Sequence, residues 1–110
     1  MKGLFLLLIL TILISSCASW GFDWRSDKQI ETDRKSEYFS KHPDCSETDR
    51  QLIKEGKIRL GMTTEQVYAS WGKPHDINEL ILENITSEQW VYYRQYLYFE
   101  NNSLVAIQDR

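Results

Sequence analysis

The pattern of apolar and polar positions changes character several times along the chain. Leu4 to Ile14 is an almost unbroken apolar run with only Thr11 in it, followed by the small residues Ser15 and Ser16. From residue 18 to about residue 41, charges and Ser/Thr alternate without a sustained period. Trp20, Phe22, Trp24, Tyr38 and Phe39 are too scattered there to suggest a core. Order begins near Pro43. Ser46 reads as an N-cap with an acidic residue at the third helical position, Asp49, and Gly56 as a stop, which predicts a short helix over residues 47–55. A stronger start follows in Gly61-Met62-Thr63-Thr64-Glu65-Gln66-Val67. Thr63 and Gln66 have capping-box spacing, and Met62 and Val67 occupy the two staple positions. Gly72 ends that helix, Pro74 prevents its continuation, and Val67 and Trp71 fall on one face.

The period shortens to two only after a connecting stretch beyond Pro74. Residues 75–87, with Ile77, Leu80, Ile81 and Leu82, permit a strand or a short helix, and a β-meander follows. A two-residue turn at Arg94-Gln95 sets Trp90 against Phe99 and Tyr92 against Leu97. A second turn at Asn101-Asn102 sets Phe99 against Leu104 and Leu97 against Ala106. Asn-Asn suits the positive φ of such a turn, whereas Arg-Gln does not, so the first loop has room to be longer. One face of the meander is apolar throughout. The other carries Val91, Tyr93, Tyr96, Tyr98, Val105 and Ile107, an apolar set for a side meant to meet water. Either the connecting stretch or the preceding segment covers it, or it binds a partner. The order helix, helix, strands predicts an α+β layer in which two short helices pack on one face of a three-stranded antiparallel sheet (ααβββ).

The first segment changes the picture of where this domain works. An apolar core of 11 residues after Lys2 fits a secretory signal, while a membrane-spanning helix needs roughly 20 residues. Ile14-Ser15-Ser16-Cys17 resembles the lipobox of bacterial lipoproteins, in which a thiolate accepts a diacylglyceryl group. Cys17 is therefore the expected lipidation site and membrane anchor, carrying palmitate-type acyl chains. Two or three such chains hold firmly, at about 0.8 kcal/mol per buried methylene. The expected organisation is a lipoprotein signal peptide over 1–16, a lipid anchor and tether over 17–42 and the α+β domain over 43–110. Trp20, Phe22 and Trp24 lie close to the lipid and either rest at the interface or pack on the domain. Ala18 and Ser19 lack the Asp that marks inner-membrane retention in the lipoprotein pattern, which points to the outer membrane, facing the periplasm.

Charge and chemistry then narrow the function. The chain carries a net charge of −3, which becomes −4 once Lys2 leaves with the signal, and its Lys and Arg are interleaved with Asp and Glu over residues 25–59. That argues against nucleic acid. Cys45 is left without a partner when Cys17 is acylated, and His42 and His75 are not at metal-ligand spacing with it or with each other. No nucleophile beside a base, paired carboxylates or phosphate loop stands out, and His75 and Asp76 point apart on an extended segment. The expectation is a non-enzyme without metal, cofactor or small-molecule substrate. Its partners are the membrane and an envelope protein, bound through Tyr93, Tyr96, Tyr98, Val105 and Ile107.

Gly61-Met62-Thr63 with Gln66-Val67, Gly72-Lys73-Pro74, Trp90-Val91-Tyr92 and Phe99-Glu100-Asn101 together resemble the SmpA/OmlA (BamE-like) lipoprotein domain over residues 46–109. The resemblance implies a two-helix, three-strand fold. For the best-known members it also implies an accessory role in the machinery that inserts β-barrel proteins into the outer membrane. The chain departs from that member before the domain, where the charged stretch 23–40 replaces a Tyr-Pro-rich segment. Related folds inhibit periplasmic enzymes, so the alternative is a lipoprotein that binds or inhibits another envelope protein outside that machinery.

Overall fold

A computed structural model describes residues 25–110; the signal segment, Cys17 and the aromatic residues Trp20, Phe22 and Trp24 lie outside the described residues. Among the described residues, three helices, α1 (Asp27–Lys41), α2 (Glu47–Lys54) and α3 (Thr64–Trp71), precede four strands. These are β1 (Asp76–Leu82), β2 (Ile85–Val91), β3 (Gln95–Glu100) and β4 (Ser103–Asp109), which form one antiparallel sheet in sequence order. The architecture is mixed α+β. It has one strand and one helix more than the sequence pattern suggests.

The core lies between the helices and one face of the sheet. Ile53 of α2, Met62 of the α2–α3 link, Val67 and Ala69 of α3, and Trp90, Leu97, Phe99 and Leu104 of the sheet are all buried. The expected starts of α2 and α3 hold. Ser46 Oγ accepts the Asp49 N–H, and the Thr63/Gln66 capping box is closed on both sides. Met62 and Val67, the staple pair, have no exposed surface. The α2–α3 link is pinned to the sheet, since Gly61 N–H donates to Leu104 O and Leu104 N–H to Met62 O, both at 2.8 Å.

Within the expected tether over 17–42, residues 27–41 form α1, which is folded against the domain, while residues 17–24 lie outside the described residues. Ser26 caps its start. The pairs Glu31–Lys35 and Glu37–Lys41 bridge successive turns at 2.7 and 2.9 Å. None of its residues is fully buried, so apolar periodicity is not what holds it. Instead its cations reach the carbonyl ends of the other helices. Arg34 Nε donates to Ala69 O at 3.2 Å, Arg34 Nη2 to Ser70 O at 3.5 Å, and Lys35 Nζ to Lys54 O at 3.3 Å. Those carbonyls have no helical partner and carry the negative end of the helix dipole. Tyr38 and Phe39 add packing against the core, and Arg50 lies 4.9 Å over the Phe39 ring.

The three-strand expectation is corrected too, because residues 76–82 form β1 and pair with all of β2 through a two-residue turn at Glu83-Asn84. The Trp90 register is off by two: Trp90 faces Leu97 and Glu88 faces Phe99. The turn is Tyr93-Arg94, closed by Tyr92 N–H on Gln95 O at 2.9 Å. A slip of two preserves faces, so the assignment of the core side survives. The Asn101-Asn102 turn forms as expected, both residues at positive φ, with Phe99 opposite Leu104. Beyond it a bulge breaks the count: Tyr98 faces Ala106 and Leu97 faces Ile107. Val105 is the extra residue, and alternation reverses past it. Ile107 therefore leaves the tyrosine face for the helix side, and Ala106 makes the opposite exchange.

Candidate functional site: the open face of the sheet

All three helices lie on the Trp90/Leu97/Phe99 side, which leaves the other side of the sheet uncovered among the described residues. Register places Asn78 and Leu80 of β1, Gln89 and Val91 of β2, Tyr96 and Tyr98 of β3, and Ala106 and Gln108 of β4 on this face. Tyr98, Tyr96 and Val91 are half-buried by their neighbours, and Val105 is exposed at the bulge. Tyr93 stands in the turn at the end of the sheet with 77% of its surface exposed. Of the five residues expected to bind a partner, Tyr96, Tyr98 and Val105 thus come together, Tyr93 stands apart at the β2–β3 turn, and Ile107 is on the opposite side.

A chain of side-chain hydrogen bonds crosses all four strands of this face. Asn78 Nδ2 donates to Gln89 Oε1 at 3.0 Å, Gln89 Nε2 to Tyr98 Oη at 3.3 Å, and Tyr98 Oη to Gln108 Oε1 at 2.7 Å. Arg110 lies 4.9 Å above the Tyr96 ring and donates to Tyr92 O at 2.8 Å. The ladder ties the Tyr98 hydroxyl to both neighbouring strands and holds its ring in place, so this part of the face is ordered before any partner arrives. A groove of about 340 Å³ runs beside the ladder between Leu80, Tyr98 and Val105. The sequence reading missed Asn78, Gln89 and Gln108. Asn78 lay in a stretch open to strand or helix, and Gln89 and Gln108 join it only when the strands are in register.

A larger concavity of about 670 Å³ separates α1 from α3, with Trp90 on its wall and Tyr38 and Tyr68 at its sides. His42 Nε2 lies 3.0 Å from Glu65 Oε2, Lys41 binds Glu37, and Arg34 donates to the α3 carbonyls. His42 also stacks on Tyr38 with ring centroids 4.3 Å apart. Trp90 Nε1 is buried without a hydrogen-bond partner. The other buried side-chain polar atoms among the described residues are matched. Asp49 receives Arg59 Nε at 2.6 Å and Nη2 at 3.0 Å, and this guanidinium holds its carboxyl below the usual carboxylate range. Burial pushes the Tyr92 phenol above its ordinary value, and its hydroxyl donates to Gly72 O at 2.7 Å.

Cys45 is half-buried, and its thiol faces Ser46 O at 3.6 Å. Among the described residues no group of three or more His, Cys, Asp or Glu is placed to hold a metal ion, and no helix is long and apolar enough to cross a membrane. The arrangement defines a class, an α+β domain with an ordered, uncovered sheet face of tyrosine, amide and aliphatic groups. No family model, curated protein or solved structure matches the chain.

Proposed function

We propose that this protein is a lipid-anchored, periplasm-facing binding module of the bacterial outer membrane. Cys17 carries the lipid, and the open face around Tyr96, Tyr98 and Val105 takes up another envelope protein in support of outer-membrane protein assembly or envelope integrity. The observation that carries the binding part is the uncovered, pre-ordered tyrosine face. A large aromatic surface held by hydrogen bonds gives contact area at low entropy cost and tolerates water when free. Nothing in that face has the chemistry of a reacting centre, which supports binding over catalysis. The anchor rests on the lipobox, and the assembly role on the resemblance to SmpA/OmlA domains.

A crosslinked pull-down of the lipidated protein tests the reading. Tyr96→Ser with Tyr98→Ser should reduce partner recovery about tenfold or more, at a cost of at least ~1 kcal/mol for each hot-spot aromatic, with little change in melting temperature. Equal recovery by the double variant refutes the face. Recovery of the barrel-assembly machinery supports the accessory role. A single soluble periplasmic partner supports instead a binder or inhibitor outside it, a second reading favoured by the fourth strand and by α1, neither of which the family resemblance implies.

A further inference from the structure

Among the described residues, strand β1 is the uncovered edge of the sheet. At the other edge the α2–α3 link already pairs with β4, through Gly61, Met62 and Leu104. Tyr92 N–H donates to Gln95 O and Asn101 N–H to Thr86 O, so the even-numbered residues of β2 turn their backbone groups towards β3 and the odd-numbered ones towards β1. In the β1–β2 register, Asp76, Asn78, Leu80 and Leu82 then bond β2, and the backbone groups of Ile77, Glu79 and Ile81 point out of the sheet. The Ile77 N–H is taken by its neighbour Asp76 Oδ1 at 2.9 Å. Glu79 and Ile81 keep outward N–H and C=O groups, and every residue of β1 is exposed. The strand has no Pro, Lys or bulge to blunt it.

The side chains on this edge say what fits. Glu79 stands directly opposite Glu88, in a non-hydrogen-bonded pair where side chains come closest, and like charges there destabilise the sheet. No salt bridge among the described residues neutralises either carboxylate. On either side of Glu79, on the same face, Ile77 is 46% and Ile81 65% exposed. A cation placed next to Glu79 answers both carboxylates at once, and aliphatic groups two residues before and after it cover the two isoleucines. A second copy of this ribbon lacks that complementarity, because it brings Asp76, Glu79, Glu83 and Glu88 against their own kind.

We propose that β1 is a strand-addition site for an extended polypeptide with the pattern aliphatic-x-Lys/Arg-x-aliphatic, its basic residue paired with Glu79 and its backbone bonded to Glu79 and Ile81. This site is separate from the tyrosine face and does not rest on it. The test is amide hydrogen exchange on the full chain in detergent. The probe is the peptide acetyl-Thr-Val-Thr-Lys-Thr-Val-Thr-amide, and the control is the same peptide with Glu in place of Lys. The Lys peptide should slow exchange at Glu79 and Ile81 at least tenfold, and the Glu peptide should leave them unchanged. Glu79→Lys should abolish the protection with a melting temperature equal to or above the parent's, because it replaces the repulsion with Glu88 by an attraction. Ile81→Pro, which removes an outward N–H that β2 does not use, should also abolish it. Three results overturn the proposal: equal protection by both peptides, protection confined to Tyr96 and Tyr98, or protection without peptide that rises with protein concentration, the signature of self-pairing.

Discussion

Phe99 and Tyr96 are three residues apart on one strand, and the side of the sheet each meets separates core from surface. Phe99 is buried and packs on Trp90 with ring centroids 4.9 Å apart, whereas Tyr96 lies on the open face beneath Arg110. Phe99→Ala should cost about 3–5 kcal/mol, and Tyr96→Ala much less, as read from denaturant midpoints; the reverse order would invert the face assignment. Asp49 gives a pH signature. Its folded pKa is lowered, first by the hydrogen bonds from Arg59, so in acid the unfolded chain binds more protons than the folded one. Its contribution is complete above the ordinary carboxylate range and is lost as pH falls through the lower folded value. Asp49→Asn should therefore cost about 1–3 kcal/mol near neutral pH, and the gap from the parent should close on acidification. Gly72 has φ +82°, and a Cβ there would lie 3.1 Å from Arg34 Nη1. Gly72→Ala should thus cost about 1–3 kcal/mol in thermal unfolding.

Helix α1 is the element whose stability comes from polar contacts. Its N-cap Ser26 and the Glu31/Lys35 and Glu37/Lys41 spacings were present in the sequence, and each is worth only tenths of a kcal/mol to about 1 kcal/mol. That is too little to hold a 15-residue helix without docking. The docking comes from Arg34 and Lys35 on the carbonyl ends of α3 and α2, with Tyr38 and Phe39 packed against the core. Arg34→Ala should loosen α1 by about 1–2 kcal/mol. Hydrogen exchange should then quicken across residues 27–41 while the amides of β3 stay protected; uniform acceleration of both would mean that α1 unfolds only with the whole domain. Strand β1 is a comparable case at the sheet, since its seven exposed residues gain stability from the ladder to β2 and little from the core.

At the scale of the whole molecule, the helices take one face of the sheet and leave the other open among the described residues, and the proposed anchor on Cys17 would tie the domain to a membrane. Cys17→Ser should remove palmitate labelling and release the protein from the membrane fraction, because a hydroxyl does not replace the thiolate as lipid acceptor. Labelling that persists in the variant would dismiss the anchor. Density-gradient fractionation should place the parent with the outer membrane, and sedimentation with the inner membrane would refute that part.

What was legible in the sequence is what short-range physics decides. The Thr63/Gln66 capping box, the Met62/Val67 staple, the Asn101-Asn102 turn and the apolar stripe of Trp90, Leu97, Phe99 and Leu104 each depend on residues a few positions apart, or on a period of two that survives a register slip of two. Three features depended on long-range contacts. Arg34 finds its partners 35 and 36 residues away, and local pattern carries no trace of a bond over that distance. Residues 76–82 had the composition of either a strand or a short helix, and pairing with β2 decided it. The bulge at Val105 moved Ile107 across the sheet, because one extra residue reverses every side chain beyond it. Half of the candidate site follows from that: Tyr96 and Tyr98 could be placed by counting, but the amides that hold Tyr98 come from three other strands, and only the assembled sheet brings them together.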